Sequence, residues 1–321
     1  MHLILDQYGV QVEVSNEMFK ISLEKETRLI SAKKLSSINI MKPVNITSPV
    51  LLLAATNQVP LLVYDAFGKV QAMVWSAHYQ NIANVRMGLM RMASGTLGIE
   101  WMKKIISMKI ENQQANIRYF RNRKIAHTKI CTDCIGVLQK CIEQIHGIRT
   151  FSKLRAAEAW ASKNYWKTFG EIFAGEFAFK GREKKGTTNF FNSSLNYAYG
   201  VLYAMVESSL LMVGLDPYTG IMHANQYGRP ALAYDHIEPF RPWIDRMIAE
   251  LWTSGTIGEN DFEWLQDKTT IKFDARRKIL TTLFSYLAER ADLNGKRIKR
   301  QDHIHFLSSL LVQTIREGRV R

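Results

Sequence analysis

The segment from Met222 to Pro242 reads MHANQYGRPALAYDHIEPFRP and places His223, Asp235 and Glu238 within sixteen residues. One imidazole and two carboxylates suit a hard divalent ion such as Mg2+ or Mn2+, which prefers oxygen ligands. The same letters have a plainer reading. Asp235-His236-Ile237-Glu238 has the spacing of a capping box, with Asp at the N-cap and Glu at N3. Pro239 opposes that reading, because a residue before proline is pushed out of helical geometry. Pro242 makes the better helix start, with Ile244, Ile248 and Leu251 as an apolar stripe behind it. Asp235 and Glu238 are then expected on a short irregular turn just before that helix. The Gly228-Arg229-Pro230 turn would fold His223 back toward them. Spacing alone leaves both readings open.

Other clusters carry less. Cys131-x-x-Cys134, with Cys141, His127 and His146, invites a zinc reading, but structural zinc sites usually pair two such knuckles. Positions 127, 131 and 134 share one helical face, which small buried side chains explain well. His303 and His305 have only Asp302 beside them. The sequence has no Gly-rich phosphate loop, no HExxH and no nucleophile-elbow serine. Glu158 stands in LRAAEAWASKNYWKTF, where Leu154, Ala161, Tyr165 and Phe169 recur at helical spacing. Taken by itself, that segment makes Glu158 an exposed helical glutamate.

The charge balance points to a partner. With 43 basic against 29 acidic residues, the formal net charge is +14, a surplus that favours a polyanion. The basic residues cluster as Arg118, Arg121, Arg123 and Lys124 among aromatics, as Arg182, Lys184 and Lys185 in an expected flexible loop, and in KRIKR (296–300) with the tail REGRVR. Arg241 stands beside the acidic segment. Any one cluster reads as a solvated face; together they favour phosphate-backbone contact and a nucleic-acid partner. A membrane partner is not expected, since the longest apolar run, Pro49 to Ala55, falls far short of the roughly 18 residues a spanning helix needs. The opening MHLILDQYG has no secretion signature, and Cys131, Cys134 and Cys141 suit a reducing compartment, so the expected location is cytoplasmic.

The elements that must position these groups fall into two parts. QVEVSNEMFKISL alternates polar and apolar residues, and ITSPVLLLAA and VPLLVYD are short apolar runs, so the N-terminal stretch reads as strands. The tract 65–69 before VQAMVW reads as a turn between two of them. Beyond about Ser76 the period becomes helical, through Met87–Ile106 and Leu138–Ile145 and over 152–170, 192–213, 242–253, 275–290 and 301–316. The expected class is α+β, with a small β-rich domain over 1–76 and a larger all-α domain over 77–321.

Four ordered blocks resemble the CRISPR-associated integrase family usually called Cas-one, the nuclease of spacer acquisition. LRAAEAWASKNYW is similar to a family segment carrying a metal-binding glutamate, here Glu158. Arg182 in its basic loop, then NSSLNYAYGVL (192–202), then GLDPYTGIMHANQYGRPALAYDHIEPFRP (214–242) complete the match. The sequence departs from the family at Ala156 and Ala159, where glycine is common, and at Gly186-Thr187-Thr188, where a Pro-Pro pair is usual. The resemblance implies that Glu158, His223 and Glu238 ligate the metal, with Asp235 as a supporting acid. It also implies an N-terminal β-sandwich used for homodimerisation, a helical catalytic domain, and a small ferredoxin-like partner bridging two dimers along double-stranded DNA into a heterohexamer. The implied activity is a metal-dependent DNA endonuclease and integrase that joins 3′-hydroxyl ends into a repeat array. A branched-DNA repair nuclease and a non-catalytic DNA-binding scaffold are the rival readings.

Overall fold

The computed structural model describes residues 2–24, 26–65, 70–74, 83–123, 128–173, 179, 181–183, 189–224, 226–265 and 268–320. Ser76, Lys124, His127, Lys184, Lys185 and Gly186–Thr188, all singled out above, lie outside them.

The N-terminal part is built from β1 (His2–Leu5), β2 (Gln11–Ser15), β3 (Met18–Leu23), β4 (Glu26–Ser31), β5 (Ser37–Ile40), β6 (Asn45–Ile46), α1 (Ser48–Thr56), β7 (Leu61–Tyr64) and β8 (Val70–Val74). They form two four-stranded sheets, ordered β1-β5-β7-β8 and β4-β3-β2-β6. The alternation in QVEVSNEMFKISL resolves into a hairpin, with Ser15 opposite Met18. Asn16 and Glu17 both take positive φ in its two-residue turn, which matches the strand twist. One expectation fails here: ITSPVLLLAA supplies a helix rather than a strand, with Pro49 in the first turn of α1. Proline there costs no hydrogen bond, and its fixed φ is already helical.

β7 shows how this part joins the rest. Leu61 and Val63 face a core shared with Val12, Phe19, Ile38 and Val50, whereas Leu62 and Tyr64 face the helical core. A strand's two-residue period thus gives one segment two different interiors. Two polar contacts mark the same seam. Arg277 pairs with Asp6 at 2.9 Å, and His2 hydrogen-bonds Gln301 at 3.0 Å.

The helical part comprises α2 (Ala83–Ala93), α3 (Thr96–Arg123), α4 (Thr128–Ile145), α5 (Phe151–Ile172), α6 (Phe190–Met212), α7 (Ala231–His236), α8 (Arg241–Thr253), α9 (Phe273–Ala288) and α10 (Arg300–Glu317). Two short hairpins, β9 (Phe262–Leu265) with β10 (Lys268–Ile271) and β11 (Arg290–Leu293) with β12 (Lys296–Lys299), lie between the later helices. The KRIKR cluster therefore spans a hairpin strand and the start of α10. Cys131, Cys134 and Cys141 are free and buried on the core face of α4. Burial raises all three thiols, Cys134 to about 11, which keeps them protonated as small buried side chains.

Candidate active site

α3 runs through the middle of the helical part and is buried nearly all round. Its side chains at Lys109, Asn112, Gln113 and Asn116 are nevertheless polar and buried. Their spacing puts them along one helix face. Two of these amides hold the segment that carries Glu238. Asn112 donates to the Pro239 carbonyl at 2.7 Å, and Asn116 to the Pro242 carbonyl at 2.6 Å.

α5 starts at a Thr150 cap whose hydroxyl accepts from the Lys153 amide. Glu158 lies in the same helical row as buried Leu154, Ala161 and Tyr165, so it does not project into solvent as its own segment suggested. Its side chain is 23% exposed and accepts from the Ser162 hydroxyl at 2.8 Å.

The segment after α6 turns sharply. Asp216 accepts from the Tyr218 amide and the Thr219 hydroxyl, each at 3.0 Å. Gly220 then passes so close to α7 that a Cβ would meet the His223 carbonyl at 2.6 Å and the Ala231 side chain at 2.7 Å. Asp235 belongs to α7 and Glu238 opens a 3-10 turn that runs straight into α8, so neither sits on the irregular turn expected. No side-chain cap forms at either start, and the capping-box reading falls with it. Helix α7 points Asp235 back at the loop. Its carboxylate accepts from the amides of Ile221, Met222 and His223 at 2.6, 2.9 and 3.1 Å, and lies 2.6 Å from His223 Nδ1. Such a bond fixes Nδ1 as the protonated nitrogen and leaves Nε2 for a ligand. Arg155 secures the other side of this loop by donating to the Met222 carbonyl at 2.9 Å.

Glu158, His223 and Glu238 line one cavity of about 320 Å³. Glu238 is buried and receives Arg241 at 2.8 Å and the Lys109 ammonium at 2.6 Å. The same ammonium also pairs with Glu158. Burial alone would raise the Glu238 carboxyl, but Lys109 and Arg241 hold it down at about 2. Burial likewise works against the Lys109 charge, and Glu238 and Glu158 outweigh it, so its pKa stands above the ordinary lysine value. His223 follows the same balance: burial lowers it, while Asp235, Glu238 and Glu158 raise it above the ordinary value. Asp245 forms the floor, accepting from Tyr165 at 3.0 Å and from Tyr199, and burial raises it to about 6.

Around the cavity the cations Lys109, Arg155, Arg182 and Arg241 face the carboxylates Glu158, Glu238 and Asp245. Arg182, expected in a free loop, is anchored instead by Asn192 and Asn196 at 3.1 and 2.6 Å and lies over the Tyr199 ring. Arg118, Arg121 and Arg123 occupy the far end of α3, with Arg118 bonded to Gln114 and Arg123 stacked on Tyr119. Twelve residues of helix put Arg121 about 18 Å from Lys109. They flank the cavity rather than line it.

Among the described residues, no group of three His, Cys, Asp or Glu side chains stands ready as a metal cluster. The donor types still fit a divalent ion. Two carboxylates and an imidazole share the cavity, the space between the carboxylates is already taken by a cation, Lys109 Nζ, and Glu238 Oε2 accepts no well-directed hydrogen bond. Lys109, Arg155, Tyr199 and Asp245 were missed in the sequence reading. For Lys109 the missed signal was the row of polar residues at 109, 112, 113 and 116, which continues the apolar helix face of Met102, Ile105 and Ile106.

Residues 3–284 match the family described as CRISPR associated protein Cas1. The chain belongs to the Cas1 family. A relative named CRISPR-associated endonuclease Cas1, from Francisella tularensis subsp. novicida, is 23% identical over 304 residues, covering 93% of this chain and 90% of its own. Among solved structures, a casposase bound to integration product aligns over 100% of this chain and 92% of its own, with a TM-score of 0.79 and 20% identity. A Cas6-RT-Cas1–Cas2 complex aligns over 99% of this chain and 35% of its own, with a TM-score of 0.77 and 20% identity. At such identities the structures share the Cas1 fold with this chain: a strand-rich N-terminal part and a larger helical part.

Proposed function

We propose that this Cas1 protein is a metal-dependent DNA endonuclease and integrase that joins 3′-hydroxyl ends of captured DNA into a repeat array by phosphodiester transesterification. The observation carrying this is the cavity where Glu158, His223 and Glu238 meet beneath a rim of arginines. Glu158, Glu238 and His223 Nε2 would hold Mg2+ or Mn2+. When bound there, such an ion supplies charge neutralisation at the phosphate and polarises the attacking and leaving oxygens.

The chain's own residues do the rest. Asp235 fixes the imidazole tautomer and braces the loop bearing it. Arg241, already ionised and held against Glu238, offers its remaining N–H groups to phosphate oxygens, and Arg182 and Arg155 extend that grip along the strand. Arg118, Arg121, Arg123 and Lys124 with Lys184 and Lys185 would hold the flanking duplex in a sequence-independent, salt-sensitive way. A homodimer through the N-terminal sandwich, and a heterohexamer with the ferredoxin-like Cas2 partner, complete the assembly. The relative named as an endonuclease and the structures titled for an integration product and a Cas1–Cas2 complex support this reading. A cytoplasmic site of action agrees with a DNA substrate. None of the helices, over the described residues, is long and apolar enough to cross a membrane.

The test is strand transfer into a supercoiled repeat-bearing plasmid with Mn2+ or Mg2+ and the partner protein. Joined products that fall about 10²–10³-fold in Glu158→Gln, His223→Ala and Glu238→Gln are the expected result, a loss typical of removing one transition-state charge stabiliser. Cleavage without joining makes the protein a repair nuclease. DNA binding with no activity affected by any substitution makes it a scaffold.

A further inference from the structure

The Lys109 ammonium lies where two metal-holding carboxylates would converge. It is buried on α3 and pairs with Glu158 on α5 and with Glu238 at the start of the turn before α8. A buried lysine with both acidic partners satisfied is a structural salt bridge wherever nothing else needs those oxygens. Here something else does, if Glu158, His223 and Glu238 form the metal site, and the inference rests on that reading.

Two cations cannot share that space. An ammonium and a divalent ion a few ångströms apart, both away from bulk water, repel strongly. We propose that Lys109 is the resident counter-ion of the metal-free site. Divalent binding displaces its ammonium from Glu158 and Glu238, and the released ammonium takes a DNA phosphate as its new partner.

The geometry supplies both halves. Glu238 keeps Arg241 at 2.8 Å when Lys109 leaves, and Glu158 keeps the Ser162 hydroxyl at 2.8 Å, so neither carboxylate depends on lysine alone. The displaced ammonium stays tethered to α3 in a cavity already lined by Arg155, Arg182 and Arg241. With the ion added, that cavity holds a clear surplus of positive charge, which only an anion relieves. A phosphodiester is such an anion, and the proposed substrate carries it to this place. Metal and DNA are thereby coupled. Each lowers the cost of binding the other, and reciprocity requires the same factor in both directions.

Mn2+ binding, followed by the electron paramagnetic resonance signal of the free ion, tests this without turnover. Titrations are run with and without a branched duplex bearing a 3′-hydroxyl overhang. Wild-type protein should bind Mn2+ weakly alone and roughly 5- to 150-fold more tightly with the duplex, the usual span of such couplings. Lys109→Met should bind Mn2+ more tightly than wild type without DNA and gain little from adding it. Unchanged or weaker Mn2+ binding by a folded Lys109→Met overturns the proposal.

Should that variant not fold, the unaltered protein carries the test. Amine acylation followed by peptide mass spectrometry should find Lys109 protected without metal and several-fold more reactive with Mn2+. Equal labelling in both states overturns the proposal. Glu158→Gln and Glu238→Gln separate the metal site from the role of Lys109. If they leave Mn2+ binding intact, the metal-site reading itself fails. If they abolish it while Lys109→Met changes nothing, the failure is confined to Lys109.

Discussion

The interior of the N-terminal sandwich and the interior beneath the cavity obey opposite rules. Between the two sheets, Val12, Phe19, Ile38, Val50 and Leu61 pack without any ionisable group among them. The buried polar side chains of that part, Ser37 and Asn39, sit at the seam with the helices and satisfy each other at 2.7 Å, with Tyr64 donating to Asn39 at 2.9 Å. Under the cavity, by contrast, Lys109, Glu238 and Asp245 are all buried and charged or poised to become so. Burying charge is costly unless partners surround it. The difference separates a region held by packing alone from one that keeps ionised groups away from water.

The largest expected effect lies in the sandwich interior. Phe19→Ala should cost about 3–5 kcal/mol of stability, as large aromatic deletions do. Denaturant unfolding measures it, and Mn2+ affinity of the folded fraction should stay unchanged. Loss of metal affinity there would show the two interiors to be one. Next comes Asp235→Asn, which keeps the shape but weakens the bond that orients His223. Mn2+ affinity should fall about 10–100-fold, the usual penalty for removing a ligand's supporting partner.

A third effect contrasts two histidines of the same segment. His223 has carboxylates around it and a raised pKa, whereas His236 is buried beside Ser308 at 3.1 Å and burial lowers it to about 3. Folded His236 stays neutral while the unfolded chain takes up a proton below its ordinary value of 6.5. Its contribution to stability is therefore intact above 6.5 and lost as pH falls toward 3, by at most about 1.4 kcal/mol per pH unit. His236→Gln should flatten the fall in unfolding free energy by one proton's worth. The smallest effect belongs to the flanking cluster. Arg121→Ala with Arg123→Ala should make the log–log salt slope of duplex binding shallower by about 0.9 for each phosphate no longer neutralised, with cleavage chemistry unaltered.

How much of this could be read from the letters depended on whether neighbours in sequence were neighbours in space. The hairpin in QVEVSNEMFKISL and the helix over Glu158 follow local periodicity, and both formed. ITSPVLLLAA misled because an apolar run carries no period, and Pro49 starts a helix as readily as it interrupts a strand. His223, Asp235 and Glu238 were legible as a group, yet the helical setting of Asp235 and Glu238 was not, since α7 is six residues long and lacks a cap. Lys109 was passed over for a different reason. Its partners lie 49 and 129 positions downstream, and a lysine in a helix that also carries Lys103 and Lys104 usually means a wet face.

Asn116 has one further consequence. The same side-chain amide that donates to the Pro242 carbonyl at the head of α8 also donates to the Tyr165 hydroxyl of α5 at 3.0 Å, and it does so from α3. Lys109, Glu158 and Glu238 ride on these three helices or, for Glu238, on the turn leading into α8. The width of the cavity is thus set from below, by a neutral group that is not part of the cavity lining. A change at that one position would misalign the carboxylates together while leaving each of them intact.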